Sequence, residues 1–505
     1  MYNILSYLEK SVEKFPDKTA LLDPERTVSY SELKQKADRI GSGLAGKVPA
    51  RTPVPVFMDK CAEAIETFLG IVSAGCFYVQ LDIRQPRERL AQILDVLQAG
   101  LVITRQQEKS LLEELGVASG ILTYEELAAG ETDRDLLAKI RRQSVDIDPL
   151  YGIFTSGSTG VPKGVVVNHR SVMDFIDVFA ETFDFSAHDI IGNQAPFDFD
   201  VSVKDIYTSL AVGATMVIIP TRYFSQPKAL LDYLCENRVT SLTWAVSALC
   251  LVSQLHGFDY KVPTAVRRVM FSGEVMPIRH LNAWQEALPE ALFVNLYGPT
   301  EITCNCTYYI VDRKFEAGEV LPIGIPFRNE RVFLLDERDQ LVTAPEAEGE
   351  ICVSGTAVTA GYYNNPDQTG RAYVQNPLQQ AFPEIIYRTG DLGKYDEEGQ
   401  LVFASRKDFQ IKHMGHRIEL GEIDAALEKV PEVNRACTLF LKNKLVLFYT
   451  GDIEKRELSA RLKEFLPVYM IPNAFRKKEA LPLNKNAKID RKALEREFLA
   501  KKTLR

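Results

Sequence analysis

The sequence predicts an α/β protein. A large N-terminal domain of layered parallel sheets with helices carries a β-rich subdomain, and a small α+β C-terminal domain follows. Three observations predict it. Helical and strand-like segments alternate from about residue 60 onward. Shorter strands set between turn signals take over beyond about residue 325, and the last hundred or so residues have a helix–hairpin–helix pattern of their own. A chain of 505 residues is also too long for one ordinary core, so at least two domains are expected.

Each element follows from its pattern. The opening "MYNILSYLEKSVEKFPDKTALL" sets Glu9, Lys10, Glu13 and Lys14 within an apolar repeat, which reads as an amphipathic helix and not a signal peptide. "CAEAIETFLGIVSAG" is a helix ending at Gly75, and "CFYVQLD" is a strand. "RERLAQILDVLQAG" is a helix feeding the strand "LVIT". "GVVVNHRSVMDFIDVFAETF" gives a strand and then a helix with Val172, Phe175, Ile176 and Phe179 on one face. "ATMVIIP", "SLTWAV", "RRVMFSG" and "ALFVNLYG" continue as strands of a largely parallel sheet covered on both faces. "RVFLLDERDQLV", "GEICVSG" and "GQLVFASRKDFQIKHMG" are the shorter strands of the β-rich part. The final stretch offers the helix "ELGEIDAALEKV", the hairpin "ACTLFLKNKLVLFYTG" and the helix "KRELSARLKEFLP". The boundary falls near Arg406–Asp408, giving domains 1–407 and 408–505.

Composition narrows the function. At 46% hydrophobic and 25% charged the chain has the balance of a soluble globular protein. A net charge of −8 argues against non-specific binding to nucleic acid. Eight scattered cysteines without a CxxC pair suit neither a disulfide scaffold nor a zinc site, so reduced thiols in the cytoplasm are expected. "LAVGATMVIIP", at 210–220, is too short to span a bilayer, and no membrane insertion is expected.

The chemistry sits in a few short stretches. "TSGSTGVPKG", at 155–164, follows an apolar strand with small hydroxylated residues and glycines, then Lys163. Uncovered backbone N–H groups that curl around an anion, with one positive charge, suit a polyphosphate. The Walker A pattern needs Lys followed by Ser or Thr, and Lys163 is followed by Gly164, so this loop is not of that kind. Taken alone it is also compatible with a solvated loop. In "NLYGPTEITC", at 295–304, Tyr297 offers a flat face for a base, Gly298 and Pro299 make a tight turn, and Thr300 and Glu301 present oxygens. A Glu beside a phosphate loop suits Mg²⁺, and the bland alternative is a turn with a surface Glu. "YRTGDLG" places Asp391 in a turn where a carboxylate could take a ribose diol, although Asp is also a common turn former. Arg406, Lys407 and Asp408 lie at the domain boundary, and Lys488 lies in "LPLNKNAKIDR" near the end.

These motifs, in this order, resemble the adenylate-forming superfamily over nearly the whole chain: "CFYVQLD", "TSGSTGVPKG", "FDFDVSVKDIY", "GEVMP", "NLYGPTE", "GEICVSG", "YRTGDL", "RIELGEID" and "NAKIDR". Within it the sequence is most similar to the amino-acid branch. That branch comprises adenylation domains of nonribosomal peptide synthetases and the stand-alone D-alanine–carrier protein ligases of the lipoteichoic acid pathway. The carrying feature is Asp200 in "FDFDVSV", where the branch holds the substrate's α-ammonium. The resemblance implies an ATP-dependent enzyme that first makes aminoacyl-AMP and pyrophosphate. It then passes the aminoacyl group to the phosphopantetheine thiol of a carrier protein. ATP and Mg²⁺ are implied, with action as a monomer.

By the same resemblance, Thr155, Ser156, Ser158, Thr159 and Lys163 would hold the β- and γ-phosphates. Asn295, Leu296, Tyr297, Gly298, Pro299 and Thr300 would cradle adenine and AMP, and Glu301 would hold Mg²⁺. Asp391 and Arg406 would bind the ribose. Lys488 would bridge the substrate carboxylate and the α-phosphate. Asp408 would be the hinge about which the loop around Gly415 replaces Lys488 for thioester formation. Ser405 and Ala487 stand where the family usually carries Gly. The side-chain pocket would be lined by Val201, Lys204, Trp244, Met270, Ser272, Leu296, Cys304 and Asn305, with Trp244 keeping it small. D-alanine is the leading substrate by end-to-end resemblance. Lys204, however, stands where an apolar residue would suit D-alanine, so it either pairs with an acidic substrate or snorkels outward. Serine, aspartate and glutamate, or transfer to coenzyme A, are the alternatives.

Overall fold

The computed structural model describes residues 3–116, 120–157, 161–407, 410–483 and 489–500. The chain divides into two compact units: Met1–Ile83, Leu97–Ile153 and Gly164–Lys407 make the first, and Arg84–Val96, Phe154–Lys163 and Asp408–Arg505 the second.

The first unit contains two mostly parallel sheets and a third, antiparallel one. A nine-stranded sheet runs in the order Ile325–Pro326, Thr307–Ile310, Leu292–Tyr297, Arg268–Ser272, Ser241–Ala245, Ile190–Asn193, Thr215–Ile218, Thr19–Leu22, Thr27–Ser29. Its six central strands are parallel, and antiparallel strands close both edges. A six-stranded sheet orders Gly120–Thr123, Leu101–Thr104, Pro53–Phe57, Phe77–Leu81, Pro149–Thr155 and Lys163–Asn168. One continuous core joins side chains of both sheets to the helices Leu5–Lys14, Tyr30–Leu44, Ala62–Ser73, His169–Thr182 and Val201–Val212. The other face of the nine-stranded sheet is covered by Pro227–Glu236, Val246–Gln254 and Ile278–Ala287 around a second core. Burial on both faces is why these strands read as nearly unbroken apolar runs.

The antiparallel sheet joins Leu341–Val342, Glu330–Leu335, Gly349–Gly355, Ile385–Tyr395 and Tyr373–Gln375, with Leu401–Arg406 paired to Ile385–Tyr395. This is the expected β-rich part. The second unit holds the three-stranded sheet Val433–Leu441, Lys444–Gly451 and Ala474–Lys477 with the helices Leu420–Glu428, Lys455–Phe465 and Arg491–Ala500. It also holds the hairpin Gln410–His413/His416–Glu419, whose turn residues Met414 and Gly415 both have positive φ, at 53° and 79°. That pair of angles is the turn that matches the twist of a two-stranded ribbon, and glycine takes it without strain.

The α/β layering, the β-rich part and an α+β terminal segment thus follow the sequence pattern. All eight cysteines are free thiols. Among the described residues no helix is long and apolar enough to cross a membrane.

Candidate functional site

In the first unit the site is built on three neighbouring parallel strands and one helix. Strand alternation sends Met270 and Ser272 of Arg268–Ser272, and Leu296 of Leu292–Tyr297, to the face that carries the helix Val201–Val212. Met270, Leu296 and Cys304 share one core with Val203 and Tyr207 of that helix. Asp200 stands immediately before the helix, half-buried, and its side chain makes no capping hydrogen bond. Its backbone carbonyl accepts from the Cys304 thiol at 3.1 Å. Burial pushes the Cys304 thiol and the Tyr151 hydroxyl well up, and the Asp200 charge adds to both. The carboxylate therefore sits close to the same face.

One turn along the helix is Lys204, only 1% exposed. Its ammonium donates to Asn305 Oδ1 at 2.5 Å, and no carboxylate among the described residues pairs with it. The outward-snorkelling option for Lys204 is therefore not the one the chain takes. The adjacent Asp205 points elsewhere and accepts from Asn193 Nδ2 at 2.9 Å. Burial pushes the Asp205 carboxyl up to about 7, against the opposing pull of Asn193 and Lys204. Val201 opens the helix and is buried, as is Asn305.

Trp244 does not line this face, contrary to the expectation from its sequence position. In Ser241–Ala245, Leu242 and Trp244 point to the second core, where Trp244 meets Phe224 and Trp284 edge-on. Its indole N–H donates to Gly192 O at 2.8 Å. Successive strand residues face opposite ways, so a position misassigned by one residue lands on the wrong side of the sheet. The residue on the site's face is Thr243, paired in register with Met270. The Thr243 side chain, although buried, makes no hydrogen bond among the described residues. The one signal in the sequence was period-2 alternation through "SLTWA".

The turn after Leu292–Tyr297 brings the other wall in. A side chain on Gly298 would put its Cβ 2.5 Å from Asn305 Cα and 2.7 Å from Cys304 O, so only glycine lets these backbones meet. Thr300–Ile302 forms a single 3₁₀ turn, after which Thr303 and Cys304 have φ of 54° and 78°. Non-glycine residues held there cost on the order of 1–3 kcal/mol each. Hydrogen bonds offset the cost, with Thr303 Oγ1 donating to Ala357 O at 2.7 Å and the thiol of Cys304 to Asp200 O. Glu301 is fully buried, with Oε1 accepting from the Tyr362 hydroxyl at 2.7 Å and its carbonyl accepting from Thr359 N at 3.1 Å. Tyr362 was not singled out in the sequence. Among the described residues no three metal-ligating side chains gather. One fixed carboxylate with no protein cage suits Mg²⁺, which keeps water and phosphate oxygens as most of its ligands.

Asp391 and Arg406 are opposite one another in register and form an ion pair. The Tyr297 hydroxyl donates to Asp391 Oδ2 at 2.6 Å, and Asp391 is 2% exposed. Asn295 Nδ2 donates to Pro322 O at 2.7 Å. Pro299 and Thr300 complete the buried turn between Gly298 and Glu301. Asn295, Leu296, Tyr297, Asp391 and Arg406 therefore lie within the first unit, tied into the junction of its nine-stranded and antiparallel sheets.

The phosphate-loop candidates belong to the second unit. Thr155 Oγ1 is buried without a hydrogen-bond partner among the described residues, the state of a hydroxyl kept for a ligand. Lys163, 7% exposed, begins the strand Lys163–Asn168. Ser156 differs from its expected role. Its hydroxyl donates to Arg417 O at 2.8 Å and accepts from Glu419 N at 3.2 Å, so here it ties the loop to the Gln410–Glu419 hairpin and is not offered to a phosphate. A buried Arg89–Glu422 ion pair supports the same unit. Ser158, Thr159, Asp408 and Lys488 lie outside the described residues.

Comparison with known proteins gives a consistent picture. The profile described as AMP-binding enzyme matches residues 8–363. The chain is 33% identical over 512 residues to zwittermicin A synthase ZmaJ of Bacillus cereus, covering 97% of this chain and 94% of that protein. It is 32% identical over 504 residues to tyrocidine synthase 1 of Brevibacillus parabrevis, covering 97% of this chain and 45% of that much longer protein. Among solved structures, the crystal structure of IdnL1 superposes with a TM-score of 0.81 at 27% identity, over 95% of this chain and 98% of that one. The Vibrio cholerae adenylation domain AlmE, in complex with glycyl-adenosine-5′-phosphate, gives a TM-score of 0.84 at 22% identity over 98% of each chain, a likeness of fold.

Proposed function

The chain belongs to the AMP-binding enzyme family, and we propose that it activates an α-amino acid with ATP and passes it to the thiol of a carrier protein. The observation that carries the reading is Asp200. It is a carboxylate at the start of the helix that forms one wall of the site, and a carboxylate there suits an α-ammonium. The substrate carboxylate would attack the ATP α-phosphorus and the bond to the bridging oxygen would break, giving aminoacyl-AMP and pyrophosphate. The thiolate would then attack the acyl carbon and release AMP. Neither step needs protein covalent chemistry, so positioning and charge stabilisation carry the rate.

The roles follow. Thr155 and Lys163, with Ser158 and Thr159, would hold the departing phosphates. Asn295–Thr300 would hold adenine. Asp391, which can accept about four hydrogen bonds in all, would take the ribose hydroxyls beside Arg406. Glu301 would hold Mg²⁺, which supplies charge neutralisation on the phosphates when bound. Lys488 would stabilise charge on the α-phosphate, and Asp408 would be the hinge at the start of the C-terminal domain. The carrier is supported by the fold's occurrence in PA1221, an NRPS protein containing adenylation and PCP domains, with a TM-score of 0.83. Free thiols fit the cytoplasm. D-alanine would set a methyl group against the buried Lys204 ammonium and leave that charge without an ionic partner. Polar amino acids fit the site better.

Amino-acid-dependent ATP–pyrophosphate exchange tests the first step, and the mass of a phosphopantetheinylated carrier tests the second, with free coenzyme A as the competing acceptor. Exchange with at least one amino acid and acylation of the carrier are expected. No exchange with any amino acid would refute the reading.

A further inference from the structure

We propose that the substrate is an α-amino acid with a carboxylate side chain, and that Lys204, held by Asn305, is the residue that selects it. The inference rests on the amino-acid-activation reading above. Lys204 is a fully buried ammonium, and its one acceptor among the described residues is the neutral Asn305 carboxamide. An ammonium can donate three hydrogen bonds, and a buried one without a counter-charge is among the costliest groups a protein can hold. Asp205 pulls on it electrostatically, but no carboxylate among the described residues forms an ion pair with it. Asp205, next in sequence, is turned to Asn193. Asp200, the residue just before the helix, precedes Lys204 by four positions and is not its hydrogen-bond partner. Cys304 gives its thiol hydrogen to Asp200 O. An anion arriving with the substrate would supply the missing charge.

The spacing suits such a ligand. Residues four apart on a helix lie one above the other, with β-carbons about 5–6 Å apart. A carboxylate at Asp200 and an ammonium at Lys204 thus present opposite charges at a separation close to that between the α-ammonium and side-chain carboxylate of an acidic amino acid. The ligand's two charged ends would be read in the reverse order. Asn305 fixes the Lys204 rotamer. It is itself fixed by the Gly298 contact and the strained Thr303–Cys304 backbone, so the cation is pre-placed. Met270 and Leu296, in the same core, offer a polar side chain neither a charge nor a strong hydrogen bond.

The test is ATP–pyrophosphate exchange by the full chain with aspartate, glutamate, asparagine, glutamine, serine and alanine in both enantiomers. An acidic amino acid is expected to exceed its own amide by on the order of 100-fold in kcat/KM. Lys204→Gln should collapse that acid-to-amide ratio to near unity, chiefly through KM. A purely structural lysine would instead lower all substrates together. Should Lys204→Gln fail to fold, Asn305→Asp keeps the test open. It supplies Lys204 with a carboxylate and is expected to fold, to lose the acidic substrate and to keep or gain neutral ones. Preference for a neutral amino acid in the wild type, or an unchanged acid-to-amide ratio in either variant, would overturn the assignment while leaving amino-acid activation standing. Absence of exchange with every member of the panel would instead sink the activation reading itself.

Discussion

Trp244 and Thr243 are adjacent, yet the strand sends them to different tasks, and substitution separates the two. Trp244→Phe removes an indole N–H that donates to Gly192 O at 2.8 Å and leaves that carbonyl without its partner. Losing a buried partner costs about 1–3 kcal/mol, and the smaller ring leaves unfilled volume worth about 1–2 kcal/mol more. Each kcal/mol moves Tm by about 2–4 °C in a domain of 150–250 residues and by less in a larger one. A fall of roughly 3–6 °C is therefore expected in the unfolding of the first unit. The preference among amino acids should stay within about twofold of wild type, since Trp244 packs with Phe224 and Trp284 in the second core. Thr243→Leu should do the reverse. It puts a longer side chain on the site's face beside Met270 and should lower kcat/KM for the preferred amino acid by about 10–100-fold, with a fall in Tm of no more than about 4 °C. Thermal unfolding followed by circular dichroism and exchange kinetics on the same preparations decide the matter. A Trp244→Phe enzyme with unaltered Tm and a preference changed more than tenfold would refute the strand-face assignment.

Three further outcomes are expected. Glu301→Gln keeps the shape and the Tyr362 hydroxyl bond but not the charge. It should lower exchange by about 100–1000-fold and raise the Mg²⁺ concentration at half-maximal rate, with Tm unchanged. Unaltered Mg²⁺ dependence would remove Glu301 from the metal. Gly298→Ala drives a Cβ into the Cys304–Asn305 backbone, so activity should fall by about 100-fold, with a stability loss of roughly 1–3 kcal/mol measurable by denaturant titration. Glu330 is a stability matter. Burial, with Asp174 adding, pushes its carboxyl up to about 8 despite the Ala357 N–H it accepts. Between the ordinary carboxylate value and 8 the folded chain holds a proton that the unfolded chain has released, so this group's contribution falls as pH rises through that window and is flat above it. Glu330→Gln should accordingly be close to neutral at pH 5 and increasingly stabilising towards pH 8, with an upper bound of roughly 5 kcal/mol. A pH-independent difference in Tm would contradict it.

Much of the fold was legible because burial writes itself into strands. "LVIT", "CFYVQLD" and "RRVMFSG" each hold an unbroken apolar run (LVI, FYV and VMF), as strands covered on both faces do, and each is a strand here. The partition of these strands into two sheets was less legible. Each strand looks alike, and which neighbours it finds depends on crossover connections that leave no local pattern. The strand Thr307–Ile310, which runs antiparallel beside the parallel strand Leu292–Tyr297, likewise has no signature that separates it from its neighbours.

The site divides the same way, by whether a residue's task depends on its type or on its surroundings. Asp200, Glu301 and Asp391 stand out only through the motifs "FDFDVSV", "NLYGPTE" and "YRTGDL" taken together, since each carboxylate alone reads equally well as an ordinary turn or surface residue. Trp244 could not be placed by type, since a large aromatic suits either face of a sheet equally well and only the register decides. Thr303 and Cys304 carry the least sequence signal of all. Neither residue type favours positive φ, yet both adopt it, and the conformation exists because Gly298, Ala357 and Asp200 hold it from outside. That imposed turn presents the Asn305 carboxamide to Lys204, so what Lys204 can recognise is set by a backbone conformation that no local propensity in "TEITCNC" encodes.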